Sequence, residues 1–190
     1  MTTDRAIVIG GIPIPSDDPV FLAVLAVHVP AGLICTVAGI AAMLSRKRAG
    51  RHPTAGSIYY WSLSVVFATA TALSVMRWTE NYHLFILGVL ALASASLGRM
   101  ARRRRRPSWV RMHIVGMGMS YVLLLTAFYV DNGPNLPLWQ ELPQWAFWVL
   151  PVTIGAPIII HALLRHPLVR PAQKPRSSAL SKETGTRITS

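Results

Sequence analysis

Five long apolar runs, parted by short clusters of basic residues, leave this chain few ways to fold. Each run has about the length that a helix needs to cross a ~30 Å hydrocarbon core. In lipid a helix also satisfies its backbone polar groups within itself, which an irregular segment does not. The spans are expected at Pro19–Leu44, Ser57–Met76, Tyr82–Leu97, Trp109–Val130 and Trp145–Leu164. The fold class that follows is all-α, a polytopic membrane bundle of five transmembrane helices over residues 19–164. It is flanked by an extracytoplasmic segment, 1–18, and by a basic tail, 165–190, whose Pro, Ser and Lys content predicts disorder.

Local signals sharpen these limits. Asp18 before Pro19 predicts a helix start, with a capping carboxylate and a proline whose missing N–H costs nothing there. Ser108 is the expected cap of the fourth span, and Pro151 and Pro157 should kink the fifth. The first residues do not read as a signal peptide: Gly10, Gly11, Pro13 and Pro15 interrupt the early apolar stretch. The first span is too long for a cleaved h-region and is expected to stay in the protein.

The net charge of +12 would suit a nucleic-acid binder, but its placement argues otherwise. Seventeen of the nineteen Lys and Arg lie in the 45–56 loop, the 99–111 connection and the tail after Leu164, leaving only Arg5 and Arg77 elsewhere. That asymmetry predicts an N-terminus outside and basic loops in the cytoplasm of a bacterial inner membrane. Trp78, Trp109, Trp139, Trp145 and Trp148 fall near span ends, as interfacial anchors do. The arginine run 102–106 then reads as a topology determinant that touches anionic headgroups. No nucleic-acid motif accompanies it.

No nucleophile elbow, HExxH, P-loop or GxGxxG occurs, and the expected spans hold no Asp, Glu or Lys of the kind that serves ion-coupled transport. Cys35 is the only cysteine, so no internal disulfide or c-type haem attachment is available, and it reads as a packing residue. Chemistry rests on the six histidines. Neutral imidazole ligates haem iron, copper and zinc, and ionisable groups within membranes tend to mark sites.

Depth sorts them. His28 lies 16 residues before the basic end of the first span, roughly 24 Å at about 1.5 Å per residue. His83 opens the third span on the same, outer side. His52, His113 and His161 fall near the inner ends of the second, fourth and fifth spans, and His166 lies beyond the fifth. An outer pair, His28 and His83, and an inner group, His52, His113 and His161, would suit two bis-histidine haems near opposite membrane faces. Gly32, Gly56 and Gly116 follow His28, His52 and His113 by about one turn, room for a porphyrin to approach. The competing reading is ordinary: small residues at this spacing also serve helix packing, and interfacial histidines are often only hydrogen-bonded.

The motifs His28-x3-Gly32, Arg51-His52-Pro53-x2-Gly56 and Arg111-Met112-His113, with Met117 or Met119 and Ser120-Tyr121, resemble those of the bacterial membrane proteins grouped as domain of unknown function 2306. The likeness covers roughly residues 20–165. It departs at Pro53, where that family has Arg, and at Gly116, where it has Trp. The resemblance implies a membrane location and points to His28, His52 and His113 as site positions; it implies no activity.

The expected function is an inner-membrane protein with an intramembrane histidine site, with b-type haem and transmembrane electron transfer as the leading reading. His28, His52, His113 and His83 would then be the cofactor ligands, and a quinone or a redox protein the partner, besides membrane lipids. Two alternatives stand beside it. One is a non-catalytic scaffold or accessory subunit without cofactor. The other is a copper or zinc site at the inner histidines, His161 included.

Overall fold

The computed structural model describes residues 7–9, 12–14, 16–46, 50–105, 107–166 and 169. The tail expected to be disordered lies almost wholly outside the described residues, as does Arg106 of the arginine run. Five helices form the body: α1 Pro19–Leu44, α2 Arg51–Met76, α3 Trp78–Arg104, α4 Trp109–Asn132 and α5 Gln144–Arg165. All five are long and apolar enough to cross a membrane. Large apolar side chains such as Leu33, Val37, Val75, Leu97, Ile154 and Leu164 stand exposed on their outer faces. In water that surface would be costly; in a bilayer it is the lipid-facing surface of a multi-pass membrane protein.

The expected limits hold for α1, α4 and α5 to within a residue or two and fail for α2 and α3, which are longer. Arg51, His52 and Pro53 form the first turn of α2, because Gly50 turns the chain at φ +105° and a proline needs no amide partner there. α3 continues through Arg102, Arg103 and Arg104, whose cations favour the negative end of a helix dipole. Asp18 caps α1 as expected: its Oδ1 accepts from the amides of Val20, 2.7 Å, and Phe21, 3.0 Å. Ser108 does not cap α4. Its backbone is left-handed, φ 69°, and its hydroxyl makes no cap hydrogen bond. α5 runs as one continuous helix through Pro151 and Pro157.

The N-terminal segment holds one element not anticipated. Strands β1, Ile7–Ile9, and β2, Ile12–Ile14, pair antiparallel with Ile7 opposite Ile14 and Ile9 opposite Ile12. β-branched residues on both sides of a Gly-Gly pair carry a hairpin signal; reading the prolines only as breakers obscures it.

Consecutive helices are neighbours, with α1 against α2 and α3 against α4 the most extensive pairs. The core is built of small and medium residues: Cys35 and Ala38 of α1, Tyr59, Leu63 and Val66 of α2, and Ala91 and Ala95 of α3. Met117 and Tyr121 of α4 close it. Backbones come close between α3 and α4. A Cβ on Gly116 would lie 2.7 Å from the Ser94 carbonyl oxygen and 2.8 Å from the Gly98 Cα, so a side chain at 116 would force the helices apart. Glycine-mediated contact of this kind is what holds helices together where lipid removes the hydrophobic driving force.

Candidate functional site: an imidazole pair at the basic end

The Gly98–Gly116 contact determines where His113 goes. One turn before Gly116, His113 projects toward α3, and its Nδ1 lies 3.0 Å from the Gly98 carbonyl oxygen. A glycine carbonyl has no side chain to shield it. On α2, His52 sits in the first turn and places Nδ1 2.9 Å from the carbonyl oxygen of Ala42, in the last turn of α1. Each histidine thus spans a helix pair, α2 to α1 and α4 to α3. The two rings meet between the pairs, 6.3 Å between centres and nearly perpendicular at 84°.

Both anchors fix a tautomer. A carbonyl oxygen only accepts, so Nδ1 carries the proton, and in the neutral ring the lone pair is on Nε2. Metal-ligating histidines commonly have this arrangement, with one nitrogen donating to a carbonyl and the other turned to the metal. One metal ion between two imidazoles, at bonds of about 2.0 Å, would set ring centres on the order of 6 Å apart. An edge-to-face ring contact has a similar spacing. For a planar macrocycle, backbone closes the α3 side at Gly116, whereas an added Cβ on Gly56, one turn after His52, would meet nothing within 4 Å. The spacing of the ring centres alone is thus shared by a bis-imidazole metal centre and by a plain edge-to-face ring contact.

The other histidines do not join this pair. His28 places Nδ1 2.8 Å from Thr69 Oγ1 on α2. Thr69 donates its own hydroxyl proton to the Val65 and Val66 carbonyls, at 2.8 and 3.0 Å, so here too Nδ1 is the donor. His83 packs its ring against Tyr82 and against Trp148 of α5, with centres 5.7 and 5.9 Å apart, and Asp131 at the end of α4 is within electrostatic reach. No hydrogen bond or ring contact links His28 to His83; the outer pair is not brought together. His161 stands on an exposed face of α5, away from the inner pair, because the arc of α5 packed on α4 carries Gly155 and Ile159 instead. Among the described residues no three His, Cys, Asp or Glu side chains gather as metal ligands, so the inner site is a pair and not a trio.

Between the two ends runs a polar seam. Tyr59 Oη donates to Ser120 Oγ, 2.8 Å, which donates onward to the Met117 carbonyl, 2.7 Å. Tyr121 donates to the Thr36 carbonyl at 3.3 Å, an interior bond and not a ligand contact. Thr69 as the partner of His28, and the Ala42 and Gly98 carbonyls as anchors, carried no signal in the sequence, because they depend on how each helix is rotated. A Trp at 116, as in the family that the motifs resemble, would require α3 and α4 to separate. In comparisons with known proteins, no family model, curated protein or solved structure matches this chain.

Proposed function

We propose that this chain is a five-span protein of a bacterial inner membrane, N-terminus outside and C-terminus in the cytoplasm, with a metal-binding imidazole pair, His52 and His113, at its cytoplasmic end. The asymmetry of Lys and Arg supports the orientation. The iron of a b-type haem is the leading occupant, with copper or zinc as the alternative. The observation that carries the reading is the twin anchoring: two Nδ1–H groups held on backbone carbonyls, with the rings 6.3 Å apart.

Bound haem would supply one-electron chemistry at this end of the membrane, exchanging with a quinone or a redox protein. The protein's part is to orient two half-buried imidazoles by their carbonyl partners. Since His28 and His83 stay apart, a single inner centre accords better with the geometry than two stacked ones. Oxidised and reduced visible spectra of the purified protein, after haem-supplemented expression, test this. A Soret band lost in both His52→Ala and His113→Ala is expected. Its absence in the wild type, with no copper or zinc by elemental analysis, defeats the reading.

One observation favours a second reading. The same bonds staple α1 to α2 and α3 to α4, so these histidines serve packing as they stand. As a scaffold or accessory subunit, the protein would tolerate His52→Ala and His113→Ala, with each variant reaching the membrane and complementing a deletion strain.

A further inference from the structure

Arg99 lies on α3, five residues before its last residue, Arg104, or roughly 8 Å along the axis. Its guanidinium carbon stands 4.6 Å over the centre of the Tyr60 ring and 6.0 Å from that of Trp61. The two rings meet edge-to-face at 5.5 Å, and Tyr60 is fixed by a 3.2 Å hydrogen bond between Oη and Ser96 Oγ. Among the described residues no carboxylate pairs with Arg99; the ion pair found there joins Arg77 to Glu80 at the opposite end of the bundle.

Beside this cation an open groove of about 590 Å³ runs along α2, lined by Pro53, Thr54, Ser57, Ile58, Trp61 and Ser62. Trp61 is common to both features. The hydroxyls of Ser64, Thr69 and Thr71 on the same helix return to carbonyls four residues back. Among the described residues, no such bond is made by Ser57 or Ser62, in the groove. Unbonded hydroxyls and an unpaired guanidinium are costly on a lipid-facing surface unless a ligand completes them. The ligand's chemistry is then constrained: an anion for the planar fork of Arg99, further acceptors for the two serines, and an apolar body to lie on Ile58 and Trp61.

We propose that this groove binds one anionic phospholipid, its phosphate on Arg99, its ester oxygens accepting from Ser57 and Ser62, and an acyl chain along Ile58 and Trp61. The proposal rests on the membrane-spanning reading and is independent of the metal site. To test it, the full chain is reconstituted into vesicles of phosphatidylcholine and phosphatidylglycerol in which one or the other lipid is brominated. The signal is the quenching of the tryptophan emission that Trp61→Phe removes.

Phosphatidylglycerol is expected to quench Trp61 at about fivefold lower mole fraction than phosphatidylcholine, the factor that one basic residue is worth near an anionic surface. Arg99→Gln brings the two lipids to parity, and Arg99→Lys, which keeps the charge and loses the fork, falls between. Arg102→Gln, the same charge loss one turn on, leaves the preference in place. Equal quenching by both lipids in the wild type overturns the proposal, as does an Arg102→Gln variant that loses as much as Arg99→Gln. Should Arg99→Gln fail to insert, Arg99→Lys takes its place, and a Lys variant as selective as the wild type is equally fatal. A wild-type chain that stays out of the vesicles altogether defeats the membrane reading itself, and this proposal with it.

Discussion

At the basic end of the bundle, His52 and His113 each hold a backbone carbonyl and bring their rings to 6.3 Å, whereas at the opposite end His28 and His83 are tied to different helices, by Thr69 of α2 and Trp148 of α5. The difference follows from backbone spacing. At the basic end Gly98 and Gly116 let α3 and α4 touch, so a short imidazole on one helix reaches the main chain of the next. On α1, Gly32, one turn after His28 and midway along the helix, faces open space and makes no such contact. Position along the helix is therefore a poor guide to which histidines come together; the close helix contacts decide it.

The largest expected effect tests that cause. Gly116→Leu must push α3 from α4 and should cost about 3 kcal/mol, with loss of the folded species on thermal challenge in detergent. Gly32→Leu, midway along α1 with open space around it, should stay within about 0.5 kcal/mol. Equal losses would remove the contrast. Next come the ligand effects. His52→Ala or His113→Ala should each weaken haem or metal binding by at least about tenfold, while His28→Ala and His83→Ala leave the titration unchanged.

Smaller still is the staple at the outer end. His28→Ala and Thr69→Val should each cost about 1 kcal/mol in chemical unfolding. The pair should cost little more than either alone, with a coupling of about 0.6 kcal/mol, typical of hydrogen bonds between membrane helices. Strict additivity would mean that the 2.8 Å contact is incidental. Least of all, His161→Ala should alter neither stability nor ligand binding, since its side chain faces outward.

What the sequence could express is distance along each helix. Runs of apolar residues gave the five spans, Asp18 gave the start of α1, and a rise of about 1.5 Å per residue put His52 and His113 at one level. What it could not express is rotation about each axis. Helices that are apolar on nearly every face have no amphipathic stripe to say which side turns inward. His161 was therefore grouped with an inner set that it does not join, and His28 with a His83 that it does not meet. The hairpin of β1 and β2 is hard to read from sequence because its prolines mask the alternation of apolar residues on either side of the Gly-Gly pair.

The central claim is that His52 and His113 act together on one ligand, and the ligand stoichiometry of the purified protein is its most direct measure. Haem and metal content per chain, measured on the wild type and on the four single variants at 28, 52, 83 and 113, should show one bound group in the wild type, in His28→Ala and in His83→Ala, and none in His52→Ala or His113→Ala. Two groups per chain, a loss shared by His28→Ala, or an empty wild type would contradict it.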